Sequence, residues 1–266
     1  MKLGLVLSGG GVKGMAHIGL IKALEEKGIA IDILSGTSAG AIVGACYADG
    51  MPPEKILSLF QKTELFQYKF FAWSTLGLLR STKLEEILLD FFTAKTFEEL
   101  QKPISVVATD LVKGKAVAFS KGELFRPLLA SMALPIFFTP VEINGSSHSD
   151  GSIVNNVPVE PLIDKCDFII ASHVSPLAQM TQPDIESSPW SLLWRSFELT
   201  FYETSTKRLQ MCDFIFEPDE LSQLNIMNTS AVEQAYEIGY QNAKKHIDTF
   251  VDRLERKRLA KEKSAT

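Results

Sequence analysis

The chain has 266 residues, 45% hydrophobic and 22% charged, a balance that excludes a disordered or collagen-like polymer and allows one large domain or two small ones. Its 27 Lys and Arg against 32 Asp and Glu leave a net charge of −5, so nucleic acid is not an expected partner. Cys46, Cys166 and Cys212 are odd in number and form no C-x-x-C pair, which argues against a disulfide framework or thiolate zinc site and fits a reducing compartment.

Lys2 to Leu7 is a short apolar run ending at Ser8-Gly9-Gly10-Gly11, and it reads as a buried parallel strand. It is too short for a signal peptide, and no apolar run reaches the ~18 residues of a membrane span. The expected location is therefore cytoplasmic. A helix follows, with Ala16, Leu20, Ala23 and Leu24 on one face, ending near Gly28. Ile31 to Leu34 is a second strand, and a sharp junction at Ser35 to Gly40 leads into a helix over Ala39 to Ala48. Strand, helix, strand, helix in quick succession predicts right-handed β-α-β units and a parallel sheet.

Phe60 to Leu79 is the most aromatic stretch and has no clean period; it reads equally as a lid, an acyl groove or plain core. Ser81 or Thr82 opens a helix running to Phe92. Strands are expected at Ile104 to Ala108 and Ala116 to Phe119, and a helix near Leu124 to Ser131. Val141 to Ile143 with the Asn144-Gly145 turn predicts a hairpin. Phe168 to His173 is another buried strand. Trp190, Trp194, Phe197 and Phe201 recur at helical spacing, a stripe expected in the core or against another subunit. Phe214 to Phe216 is a last strand, and a long helix starts near Ser230. Residues 253–266 carry six basic and two acidic side chains. Such a tail suits peripheral contact with anionic lipid head groups, or is simply the solvated end of a helix.

Three motifs carry chemistry. Gly9, Gly11 and Gly14 satisfy G-x-G-x-x-G between a strand and a helix, the context of a dinucleotide site. Asp32, however, precedes the apolar Ile33-Leu34 and so sits at the wrong end of its strand to meet a ribose. A phosphate loop is excluded because Met15 follows Gly14. What remains is a tight structural turn, or a loop that offers consecutive amides to a developing negative charge. Gly36-Thr37-Ser38-Ala39-Gly40 is G-x-S-x-G at a strand-to-helix turn, the setting of a nucleophile elbow. A serine there needs a base. None of His17, His148, His173 and His246 stands in an obvious triad context. Asp150, in His148-Ser149-Asp150-Gly151-Ser152, is the better candidate, since a partly desolvated carboxylate has a raised pKa. On the residues alone, Asp150-Gly151 also reads as an ordinary surface turn.

Taken in order, Gly9-Gly10-Gly11-Val12-Lys13-Gly14, Gly36-Thr37-Ser38-Ala39-Gly40 and Asp150-Gly151 resemble the three signatures of the patatin-like phospholipase family. Ala108-Thr109-Asp110, and the stretch from Ser131-Met132-Ala133-Leu134-Pro135 through Asp150 to Asn155, Asn156 and Pro158, are similar to that family as well. The resemblance covers about residues 1–175, with 176–266 read as a helical C-terminal part of the same domain. It implies an α/β fold, a three-layer α/β/α sandwich with a mainly parallel central sheet. It implies Ser38 as nucleophile, Asp150 as its only protein partner, and an oxyanion hole from the amides of Gly9, Gly10 and Gly11. Lys13, Gly14, Gly36, Gly40 and Gly151 would support the motifs. The implied reaction is hydrolysis of fatty-acyl esters in phospholipids or neutral lipids, with no cofactor and no metal. Two features depart from the family pattern: Ser152 stands where Gly or Ala is usual, and Ser146, Ser147, His148 and Ser149 replace apolar residues. In an extended chain His148 and Asp150 share a face, which leaves open whether His148 tunes the aspartate. The rival readings are a soluble carboxylesterase or thioesterase, and a non-enzymatic nucleotide-binding or regulatory module.

Overall fold

A computed structural model describes residues 1–62, 82–135, 137–226 and 228–265. Most of the aromatic stretch after Phe60 lies outside these residues, as does Ser81. The apolar runs β1 (Leu3–Leu7) and β7 (Phe168–Ser172) are buried along their whole length. They pair in parallel with each other, β1 pairs with β2 (Ile33–Thr37), and β7 with β8 (Phe214–Phe216). β2 continues in parallel to β3 (Ile104–Asp110). The rest is antiparallel: β4 (Lys115–Phe119) and β6 (Ser146–Asp150) pair with β3, and β5 (Val141–Ile143) pairs with β6. The strand order is β5-β6-β3-β2-β1-β7-β8, with β4 against β3.

The helices are α1 (Met15–Glu26), α2 (Ala39–Ala48), α3 (Pro53–Lys62), α4 (Thr82–Phe91), α5 (Phe125–Met132), α6 (Gln182–Glu186), α7 (Pro189–Leu209) and α8 (Val232–Ala265). Alternation along the strands divides the core. Leu5, Leu7, Leu34 and Ile170 join a large cluster with α1, α2, α3, α5 and α8. Val6, Ile33, Ile169 and Ala171 face the other way, onto Val157, Val159, Leu162 and Leu209 at the end of α7. The architecture is thus the expected helix, sheet, helix sandwich with a mainly parallel centre. Three elements differ from the sequence reading, the short α6 among them, which was not expected. β2 starts later and runs on to Thr37, because Gly36 and Thr37 still pair with Val106 and Val107 of β3. α3 was not expected; Pro53 at its start and the buried Ile56, Leu59 and Phe60 are its signature.

One point of register positions the site. Val106, Val107 and Ala108 each pair with β4 on one edge of β3. β2 and β6 must therefore share the opposite edge. They run in opposite directions along it, and Thr37 stands opposite Val107 while Asp150 stands opposite Ala108. The carboxyl ends of the two strands meet head to head. Residues 38 and 150, remote in sequence, become neighbours.

Candidate active site

Ser38 follows the last residue of β2 and caps α2, with φ 53 and ψ −124. A side chain in that region costs ~1–3 kcal/mol and persists only where its surroundings impose it. Here they do. The Ser38 amide donates to Oγ of Ser131 at 2.8 Å, and that hydroxyl donates to the Val107 carbonyl at 2.6 Å. The Ser38 carbonyl accepts the amides of Ala41 and Ile42 at 3.0 and 3.2 Å, which starts α2. A Cβ on Gly40 would collide with the carbonyls of Leu7 and Ser8, and one on Gly36 would come within 2.6 Å of the Gly40 carbonyl. Only glycines let strand and helix close this tightly around the serine. Gly14 abuts Ala39 in the same way.

Asp150 ends β6 and is 1% exposed. Its Oδ1 accepts the amide of Ser152 at 2.9 Å and the Ser152 hydroxyl at 2.7 Å. That is an Asx turn, for which Gly151 leaves room: a Cβ there would collide with the Val107 carbonyl. Thr109 holds the Asp150 carbonyl through its hydroxyl at 2.9 Å. Burial raises the carboxyl to about 6, against the opposing pull of the Ser152 amide, the Ser38 hydroxyl and the Ser152 hydroxyl. The Ser38 side chain thus lies within hydrogen-bonding reach of this carboxylate.

The glycine loop lies beside both. A Cβ on Gly9 would stand 3.2 Å from Cβ of Ser38 and 2.6 Å from Oδ1 of Asn156. Gly11 has φ +55 and leads into a 3-10 turn, Gly11–Gly14. Of the three amides expected to serve, that of Gly9 is directed to the Asn156 carbonyl at 3.3 Å. Those of Gly10 and Gly11 meet no protein acceptor among the described residues. Lys13 is buried in the cleft wall; burial pushes its pKa down, and the nearby Glu198 pushes it back up.

These groups open into one cleft whose remaining wall is largely apolar, formed by Met132, Leu134, Phe137, Phe138, Trp194 and Phe201. Trp194 packs edge-on against Phe137, and Phe201 stacks on Phe197. Trp194 and Phe201 of the α7 stripe therefore line the site. His148 is turned elsewhere: Nδ1 donates to the Ser146 carbonyl at 2.9 Å, and Nε2 stands 3.8 Å from Asp110. The polar run before Asp150 is tied up in the same way. Ser146 donates to Asp110, and Ser149 to the Ala133 carbonyl. Asp32 caps the amino end of the sheet, accepting the Leu3 amide at 2.7 Å. Sequence reasoning gave no role to Ser131, Thr109 or Asn156. A turn at Asp150-Gly151 was legible in the sequence, but the other three act only through tertiary contacts.

The Patatin-like phospholipase family model matches residues 5–163. An uncharacterized NTE family protein of Mycobacterium bovis is 33% identical over 217 residues, covering 78% of this chain and 60% of that protein. The lysophospholipase NTE1 of Candida glabrata is 30% identical over 189 residues, covering 67% of this chain and 11% of the fungal protein. The chain thus spans only part of the relatives it matches. Among solved structures, VipD from Legionella pneumophila superposes with a TM-score of 0.56 at 15% identity, over 93% of this chain and 67% of that one. A human GIVD cytosolic phospholipase A2 in complex with methyl gamma-linolenyl fluorophosphonate inhibitor and terbium chloride gives 0.51 at 12% identity, over 96% and 59%. Both likenesses concern the fold.

Proposed function

The chain belongs to the patatin-like phospholipase family, and from that premise we propose that it is a serine lipid acyl hydrolase working through Ser38 and Asp150. The Asp150 carboxylate takes the proton of the Ser38 hydroxyl as Oγ bonds to the acyl carbon. The carbonyl oxygen becomes an oxyanion beside the amides of Gly10 and Gly11, with the N-terminus of α2 adding its favourable field. Collapse breaks the ester bond, and the departing alcohol leaves with the proton held by Asp150. Water then attacks the acyl-serine with Asp150 again as base. The fatty acid departs, and Ser38 regains its proton.

The observation that carries this reading is the meeting of a strained serine and a buried carboxyl of raised pKa at the polar end of an apolar cleft. The apolar wall favours a fatty-acyl chain over a small soluble ester. The name of the Candida glabrata relative supports a lysophospholipid as the first substrate to test. In the C-terminal tail Lys257 and Lys261 pair with the chain's own Asp213 and Asp167, Arg258 pairs with Glu262, and Arg253 donates to the Asp213 carbonyl, so contact with an anionic lipid surface would have to compete with these bonds.

The test is hydrolysis of lysophospholipid, diacyl phospholipid and a short soluble ester, together with labelling by an alkyl fluorophosphonate. Wild type should carry one adduct, on Ser38. Ser38→Ala should lose the label, and both it and Asp150→Asn should lose ~10³-fold or more in turnover while remaining folded. Undiminished turnover by folded Ser38→Ala would refute the reading. Preference for the short ester would replace lipid by the soluble-esterase alternative.

A further inference from the structure

His17 is fully buried at the start of α1, and no step above uses it. Its Nε2 lies 2.9 Å from the carbonyl oxygen of Ser8, and its Nδ1 lies 2.7 Å from the hydroxyl of Ser172. A carbonyl can only accept, so Nε2 carries the proton; Nδ1 of the neutral ring then accepts from Ser172. Burial and the neighbouring His173 hold the ring's pKa down, to about 4, against the pull of the Ser8 carbonyl. The ring is neutral wherever Asp150 is ionised.

The Ser8 carbonyl and the Gly9 amide belong to one rigid peptide plane. His17 holds the oxygen edge of that plane, and the Asn156 carbonyl holds its N–H edge. The neighbouring groups are committed too. The Ser8 amide donates to the Ser172 carbonyl at 3.0 Å. The Ser8 hydroxyl accepts the Val174 amide at 3.0 Å and donates to the Gly9 carbonyl at 3.0 Å, where Ser175 also donates. The Gly10 carbonyl accepts the Lys13 amide at 3.1 Å. Among the described residues, this leaves the N–H groups of Gly10 and Gly11 as the loop's unclaimed donors, and both glycines line the cleft.

We propose that His17 is a positioning residue: through the Ser8 carbonyl it sets the peptide plane from which the Gly10 and Gly11 amides are aimed at the developing oxyanion. It acts only through the loop and touches no substrate. The inference rests on the acyl-hydrolase reading above.

The two ring nitrogens have different jobs, which makes the idea testable. A glutamine at position 17 can place an N–H donor near Nε2, whereas asparagine matches only the Nδ1 position. His17→Asn and His17→Phe should lower kcat ~10–100-fold with KM changed less than ~2-fold, the signature of a loss confined to the transition state. His17→Gln should restore most of that loss. A long-chain trifluoromethyl ketone forms a tetrahedral adduct with Ser38, so its affinity should fall by the same factor as kcat/KM. The matched secondary alcohol, which forms no adduct, should bind as before. Wild-type kcat and ketone affinity in His17→Asn would overturn the proposal, and so would equal losses for ketone and alcohol. Should the variants fail to fold, nitrogen-15 NMR of the wild-type ring decides: a neutral Nε2–H tautomer at neutral pH supports the assignment, and a charged ring or the Nδ1–H tautomer removes it. Fluorophosphonate labelling of the wild type separates the two levels. Absence of a Ser38 adduct removes the hydrolase reading itself, while intact labelling with unaffected His17 variants removes only the role of His17.

Discussion

Burial that raises the Asp150 carboxyl to about 6 makes it a better base and leaves it mostly ionised at neutral pH. The reaction needs the ionised form, so kcat/KM should fall about tenfold per pH unit below about 6. A profile flat to pH ~4.5 would exclude Asp150 as the base. The same value has a consequence for stability. The folded carboxyl holds its proton more tightly than the unfolded chain does, about 6 against 3.8. Its contribution to stability is therefore complete below the unfolded value, declines as pH rises between the two, and is absent above about 6. The expected loss is of order 3 kcal/mol. Asp150→Asn keeps an oxygen for the Ser152 donors and has nothing to ionise. Thermal unfolding followed across pH should show the variant gaining on wild type as pH rises from 3.8 to about 6 and holding that lead above it, while catalysis is lost. At this scale Ser38 was legible in G-x-S-x-G because a strained turn needs its glycines nearby in sequence. The raised carboxyl was only partly so. Asp-Gly predicts a turn, but the desolvation comes from segments far along the chain.

The turn joining β2 to α2 depends on a third element. Ser131, in α5, receives the Ser38 amide and bonds onward to β3, so one hydroxyl ties helix, elbow and sheet together. Ser131→Ala would leave a buried amide and a buried carbonyl each short of a partner. The expected cost is ~1–3 kcal/mol in stability, with activity falling ~10-fold or more as the elbow relaxes. Denaturant unfolding and lipid turnover measured on one preparation check both; unchanged turnover would show that the glycine packing alone holds the serine. The elements themselves were largely legible, since buried parallel strands read as unbroken apolar runs and α2 follows from its small residues. The end of β2 was misplaced because Ser35, Gly36 and Thr37 look like a turn and are strand only by virtue of the neighbours on either side. The stripe on α7 has a period that reveals a helix, yet nothing in a period says that Trp194 and Phe201 face a cleft.

Across the whole molecule, the last helix stands behind the first. A Cβ on Gly19 of α1 would strike the backbone of α8 at Tyr236 and Tyr240, and one on Gly239 of α8 would strike Ala16. The two helices cross at backbone contact, one residue from His17, the proposed support of the glycine loop. Gly239→Val should force them apart, at ~2 kcal/mol or more, and should weaken catalysis along with stability. We expect a single cooperative thermal transition in both forms, shifted down in the variant; two separate transitions would divide the C-terminal part from the rest. The order of the chemical motifs, the parallel α/β architecture and the two candidate residues Ser38 and Asp150 could all be read from the amino-acid string, because each depends on glycines, caps and apolar runs a few positions apart. Only the folded chain decided that β2 and β6 share an edge of β3 and meet end to end, that the Gly9 amide is taken by Asn156 while its two neighbours meet no acceptor among the described residues, and that Asp150 is buried with a raised pKa. Those outcomes depend on register and on water excluded by distant segments, quantities that local spacing does not encode.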